Sequence, residues 1–186
     1  MDAADLPTLP GSYVLILHLP RDCSIRVGRL GKWNFRAGHY LYLGSARGPG
    51  GLKARLGRHL RAPVCLHWHI DYLRSRATPV GAWYVVDKRP LECAWRAEMT
   101  RAGLSMPVPG FGASDCGCPA HLFYCPEAPH LTCPGSWSVP REGARRPEDG
   151  FGHFFDRSFL RCYNTRKLSD CPVRIGMPWR SSRPKA

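Results

Sequence analysis

The apolar positions gather into short runs up to about residue 123 and thin out beyond it. Ser12 to Leu19 is apolar at almost every position, the pattern of a strand covered on both faces. Ser24 to Val27 and Gly38 to Gly44 read as two further strands, with Gly28, Gly31 and Gly38 as turn or bulge points. Gly48-Pro49-Gly50-Gly51 is a strong turn signal. Leu52, Leu56 and Leu60 then recur every four residues, one face of a helix. Trp68 to Leu73 reads as a short second helix and Val80 to Val86 as a strand. Pro90, at the first position of a helix, opens Leu91 to Ala102, and Gly103 closes it. Strands, helix, strand, helix is the order of a small α+β domain. The expected architecture is a mostly antiparallel three-stranded sheet with an inserted hairpin, flanked by helices.

The chain divides near residue 123. Residues 124–186 hold eight of the 18 prolines but only six Leu, Ile or Val. Such a segment buries too little apolar surface to offset the entropy of ordering it. Phe154, Phe155, Phe159, Cys162 and Cys171 follow no helix or strand period. The expectation is a folded domain over 1–123 and a disordered tail over 124–186, with a composition that also suits a read-through or frame-shifted extension.

Charge narrows the partners. The formal net charge is +13 and the sequence pI about 9.7. Residues 1–123 contain 16 Lys+Arg against 8 Asp+Glu, and residues 124–186 contain 11 against 6, so both halves are basic. A balance this basic favours polyanions, nucleic acid before anionic membrane. The start, Met1 to Asp5, is acidic where a secretory signal would be basic. The apolar run Tyr13 to Leu17 is far short of the ~20 residues of a membrane span. A cytoplasmic protein with no membrane partner is expected. Nine cysteines is an odd count, so intrachain bridges cannot use them all.

The chemistry-bearing residues cluster on the helices and strands so drawn. If the leucines of 52–60 face the core, Arg55 and His59 lie one turn apart on an adjoining face. Arg47, Lys53, Arg58 and Arg61 add positive charge, and no acid interrupts 47–61. These four are candidate DNA contacts, since Arg presents a planar fork to phosphate oxygens. The bland reading of the same helix is a solvated amphipathic face. Glu92 falls in a helix first turn, where the dipole favours a carboxylate. It is either ordinary capping or a ligand for a hard cation such as Mg²⁺. Glu98 competes, but Arg96 and Arg101 beside it offer a simple surface pairing. Tyr13 and Tyr42 stand on different strands that can meet on one sheet face. Two strand tyrosines are by themselves ordinary core residues.

In sequence these residues form an ordered set: Gly11-Ser12-Tyr13, Tyr42-Leu43-Gly44, Arg55 and His59 on one helix, and Glu92 on a later one. The set resembles the signature of the GIY-YIG nuclease superfamily. Within it the chain is similar to a small bacterial and archaeal branch, found alone or fused to an endonuclease III-like DNA glycosylase. Supporting stretches include Tyr40 to Ala46, Gly48 to Leu52, His67 to Leu73, Leu91 to Trp95 and Gly110 to Cys116, and the resemblance covers about 11–123. It implies a catalytic set of Tyr13, Tyr42, Arg55, His59 and Glu92. In that set Tyr13 is general base or water-orienting group, and Tyr42 shapes the same site. Gly44 allows close approach, Arg55 steadies the phosphate, His59 stands near it, and Glu92 ligates one Mg²⁺ or Mn²⁺. The implied activity is endonucleolytic hydrolysis of DNA in repair or processing, with a glycosylase in trans as a candidate partner. Ser12 stands where the family's first motif has isoleucine, the stretch between the motifs is longer, and the late asparagine of many members has no match.

Cys116, Cys118 and His121 offer three soft ligands within six residues. Either Cys125 or Cys93 is a candidate fourth. Structural zinc sites usually begin with a wider Cys spacing than this Cys-x-Cys, so zinc ranks behind Mg²⁺ or Mn²⁺ as the expected cofactor. The competing functional reading is a non-catalytic basic module that binds nucleic acid, with a Cys/His zinc site. A third is a basic scaffold that binds protein through its tail.

Overall fold

The computed structural model describes residues 5–62, 65–129 and 175–176. Among them the expected α+β architecture is present. Strand β1 (Gly11–Leu19) is central. The strand pairs antiparallel with β4 (Gly38–Ala46), in register from Gly11↔Ala46 to Leu19↔Gly38. On its other side runs β5 (Thr78–Val86), also antiparallel, with a bulge between Ile16 and Leu17. These are the three strands drawn from sequence. Two short strands extend the edges: β6 (Leu122–Cys125) beside β4, and β7 (Ile175–Gly176) beside β5. The inserted hairpin is β2 (Cys23–Arg26) against β3 (Lys32–Phe35), around a 3₁₀ turn at Gly28–Leu30.

Helices cover both faces of the sheet, which explains why β1 and β4 carry apolar residues at consecutive positions. Tyr13, Leu15, Leu17 and Leu19 point to one core, shared with Leu52 and Leu56 of α1 (Gly51–Leu60) and Ile70 and Leu73 of α2 (His69–Arg74). Val14 and Ile16 point to the other, with Leu41 and Leu43 and with Trp95 and Met99 of α3 (Glu92–Arg101). Period-two alternation thus divides one hydrophobic strand between two cores.

Three boundaries differ from expectation. Leu91, not Pro90, caps α3, so the proline lies before the helix rather than at its first position. Strand β6 runs past residue 123, so the folded unit extends beyond the boundary drawn from composition. The disordered-tail expectation falls mostly on residues 130–174 and 177–186, which lie outside the described residues. Ile175 and Gly176 pair with Trp83 and Ala82.

The start of α1 is closed off. Leu52 and Lys53 donate their backbone N–H groups to the carbonyls of Leu9 and Pro7. Gly51, at φ +51°, leaves no room for a side chain against that segment. Those helix-terminal N–H groups therefore meet protein carbonyls and are not free for an anion. Among the described residues no helix is long and apolar enough to cross a membrane.

Candidate active site

Tyr13 and Tyr42 come from neighbouring strands and face the α1 side of the sheet. Their ring centroids are 6.5 Å apart. His59 closes the group from α1, 5.9 Å from the Tyr13 ring and 6.1 Å from Tyr42. Gly44 lies directly across from Tyr13 in the β1–β4 ladder. A Cβ there would stand 2.5 Å from Tyr13 Cζ and Oη. The glycine therefore makes space for the phenol itself, a more local role than the close approach of substrate.

Arg55 is on the same helix as His59, and its guanidinium carbon lies 4.1 Å from the centroid of the Trp68 ring. Arg58 sits at the same distance from that ring. Stacking on an aromatic face suits the planar, weakly hydrated guanidinium. Arg58 also donates two 2.9 Å hydrogen bonds to the buried carboxylate of Asp71. Asp71 accepts two more from the backbone N–H groups of His67 and Trp68. Burial would raise the Asp71 carboxyl, but these donors outweigh it and hold it below the usual range. Arg58 was expected on an exposed phosphate-binding face. It is instead committed to Asp71 and Trp68. Arg47, Lys53 and Arg61 are exposed, as a DNA-contacting role requires.

Glu92 begins α3 on the opposite side of the sheet. Ser45 of β4 donates a 2.9 Å hydrogen bond to its Oε1. Ser12 Oγ, on the same face of β1, accepts from the backbone N–H of Leu91 and so anchors the helix start to the central strand. The charge of Glu92 acts on both phenols across this end of the sheet, raising each.

The electrostatics of the group follow from burial. Burial, then Tyr42, pushes the Tyr13 phenol far above its ordinary range, against the pull of Arg55. Burial pushes Tyr42 up to about 12, again opposed by Arg55, with Asp115, Asp71 and Glu92 adding to the rise. Burial lowers His59 to about 3, which Asp71 opposes and Arg74, Arg55 and Arg58 reinforce. At neutral pH both phenols and the imidazole are uncharged.

Buried polar atoms nearly always find a partner, so those that do not need an explanation. Tyr13 Oη, Arg55 Nε, both ring nitrogens of His59 and Glu92 Oε2 are all buried without a hydrogen-bond partner in the protein. Four of the five residues nominated by sequence order thus carry an unsatisfied polar atom, as do His39, Arg74 and Arg96. An unused carboxylate oxygen on a fixed helix start suits a hard divalent cation.

A second group lies on the α3 side of the sheet. Cys93, Cys116, Cys118 and His121 bring their ligand atoms within 4.8 Å of one another. The fourth member is Cys93; Cys125 is not among them, being buried in β6 opposite His39.

Ser45, Trp68 and Asp71 were not singled out as site residues by sequence. Asp71 left a faint signal, an acidic residue in the first turn of a short helix. Ser45 left none, because its partner lies 47 positions away.

A family model described as "Domain of unknown function DUF123" matches residues 12–135, the span from β1 through β6. No curated protein and no solved structure matches the chain.

Proposed function

The chain belongs to the DUF123 family, and we propose that its site hydrolyses DNA phosphodiesters with the help of one divalent metal ion. The observation that carries this reading is the coincidence of two independent selections. Sequence order nominated Tyr13, Tyr42, Arg55, His59 and Glu92 through their resemblance to a nuclease signature. Four of those five also hold buried polar atoms that the fold leaves unpartnered.

Glu92 would hold the metal through Oε2, with Ser45 fixing the other oxygen. Bound there, Mg²⁺ or Mn²⁺ would supply Lewis-acid charge to the phosphate. Arg55, steadied on Trp68, neutralises charge that builds on the phosphoryl oxygens in the transition state. Tyr13 is too weak an acid to serve as a ready phenolate. Its hydroxyl therefore orients the attacking water by hydrogen bonding. His59 is neutral and works in the same way, while its ring holds the two tyrosines in place. The exposed Arg47, Lys53 and Arg61 carry the backbone-tracking contacts to DNA, the salt-sensitive and sequence-independent part of affinity.

A second reading has its own observation. Tyr13 and His59 are fully buried, at 0% exposure, as packed core residues are. On that basis the basic surface would bind nucleic acid without cutting it. Cleavage of labelled single-stranded, duplex, nicked, flapped and abasic DNA in Mg²⁺ or Mn²⁺ separates the two. Metal-dependent cutting that Glu92→Gln abolishes is the expected result. Salt-sensitive binding with no cutting of any substrate by the wild type overturns the nuclease in favour of the binding module.

A further inference from the structure

We propose that Cys93, Cys116, Cys118 and His121 bind a structural zinc ion that ties the first turn of α3 to the segment leading into β6. The proposal stands apart from the nuclease reading, because its ligands and its test involve no cleavage.

Two segments well apart in sequence supply the ligands. Cys93 is in the first turn of α3, Cys116 and Cys118 are in the long connection after it, and His121 immediately precedes β6. The backbone of this connection is tightly fixed. His121 donates its N–H to Phe111 and accepts at its carbonyl from Leu43 of β4, at 2.8 and 2.9 Å. The Gly110 N–H donates to Pro119, and the Cys116 N–H donates to Ala113. Gly112, at φ +73°, donates its N–H to Nδ1 of His69. A loop held at so many points presents its side chains in a fixed arrangement before any ligand arrives.

The spacing of the ligand atoms suits zinc. Cys116 Sγ is 3.6 Å and Cys93 Sγ 3.9 Å from His121 Nε2. A tetrahedral centre with Zn–S near 2.3 Å and Zn–N near 2.0 Å places sulfur and nitrogen about 3.5 Å apart. Three thiols and one imidazole form a soft donor set, which favours zinc over the hard Mg²⁺ proposed at Glu92. Four protein ligands leave no open position, the mark of a structural rather than a catalytic zinc. A disulfide would use two of the sulfurs and leave the third thiol and the imidazole unexplained.

The position also gives the metal a task. Cys93 is the neighbour of Glu92. The segment that carries the other three ligands also packs on Tyr42: Phe111 meets its ring edge-on at 6.2 Å, and a Cβ on Gly112 would stand 2.8 Å from its Cε2. One ion would thus fix the helix start bearing Glu92 against the wall behind Tyr42.

The test is metal analysis of the full chain purified under reducing conditions, with Cys93→Ser and Cys118→Ser beside the wild type. A single zinc per wild-type chain, lost in both variants, is the expected result. Cobalt substitution should give a thiolate-to-cobalt charge-transfer band and strong tetrahedral d–d bands in the wild type, weakened in each variant. Chelation of the folded wild type should lower its melting temperature, a readout that does not depend on either variant folding. The proposal is overturned by wild type that takes up no zinc even when offered it anaerobically. Zinc retained at full stoichiometry in a folded variant, iron in place of zinc, or a disulfide among these cysteines would equally overturn it.

Discussion

The Ser45 hydroxyl donates a 2.9 Å hydrogen bond to Oε1 of Glu92, while Oε2 of the same carboxylate is buried with no partner. One oxygen is held and the other is left over, an asymmetry that suits a metal ligand better than a helix cap. Glu92→Gln keeps the shape of the side chain and the Ser45 contact but removes the charge. Single-turnover cleavage in Mg²⁺ should fall on the order of a thousand-fold, with the melting temperature and DNA affinity nearly unchanged. Ser45→Ala should cost about ten-fold, the size of effect typical of groups that orient a ligand. Wild-type rates in Glu92→Gln would remove Glu92 from the metal site.

Asp71 and Arg58 make the contrasting prediction, one of stability. The Asp71 side chain is fully buried, and Arg58 supplies two of its four hydrogen bonds. Arg58→Ala leaves that buried carboxylate short of its charge partner, which should cost about 3 kcal/mol in urea unfolding. Arg47→Ala and Lys53→Ala should leave stability within about 0.5 kcal/mol. Each should instead lower the slope of log K against log salt for DNA binding by about 1. If Arg58→Ala changes the salt slope and not the stability, its place among the DNA contacts is restored.

The three long strands and α1 were legible because each repeats one signal over many residues. Continuous apolar runs mark strands covered on both faces, and leucines every fourth residue mark a packed helix. Strand β6 escaped because Leu122–Cys125 is only four residues long and stands amid cysteines and a histidine that suggest a loop. Strand β3 escaped because Lys32–Phe35 buries only its last residue. At the site, the chemistry-bearing residues were nominated by type and order, but their supports were not. Trp68 matters because two arginines of α1 stack on it, and Ser45 because α3 returns to β4. Such roles arise from contacts between distant segments and leave no local period. For the same reason Cys93 and Cys125 were equal candidates for the cysteine cluster until the fold brought Cys93 to it.

Gly44 and Tyr13 predict a cost of crowding. The pair faces across the β1–β4 ladder, and a methyl group at Gly44 would stand 2.5 Å from the Tyr13 ring. Gly44 sits in a strand, where alanine has no backbone objection, so the penalty would come from overpacking alone, about 1–3 kcal/mol. Gly44→Ala combined with Tyr13→Leu should recover much of that loss. Equilibrium unfolding of both single variants and the double gives the coupling, and strict additivity would show that the ring and the glycine do not meet.

His59 ties stability to pH, and the sign follows from its environment. Burial lowers its folded-state value to about 3, whereas an unfolded histidine titrates near ~6.5. Between those values the unfolded chain binds the proton and the folded chain does not, so acid favours unfolding. The stabilisation is therefore fully present above about pH 6.5 and is lost progressively as pH falls toward about 3. Asp71, whose carboxyl is held below the usual range, acts in the same direction but at lower pH. His39 and His69 are also lowered by burial and share the histidine window, but neither is buried as completely as His59. Wild type should lose about 2 kcal/mol between pH 7 and 4.5, measured by urea unfolding. His59→Phe keeps an aromatic ring against Tyr13, Tyr42 and Trp68 and removes the titration. Its stability should change least over that interval. An undiminished slope in His59→Phe would mean that the buried imidazole is not the group resisting the proton.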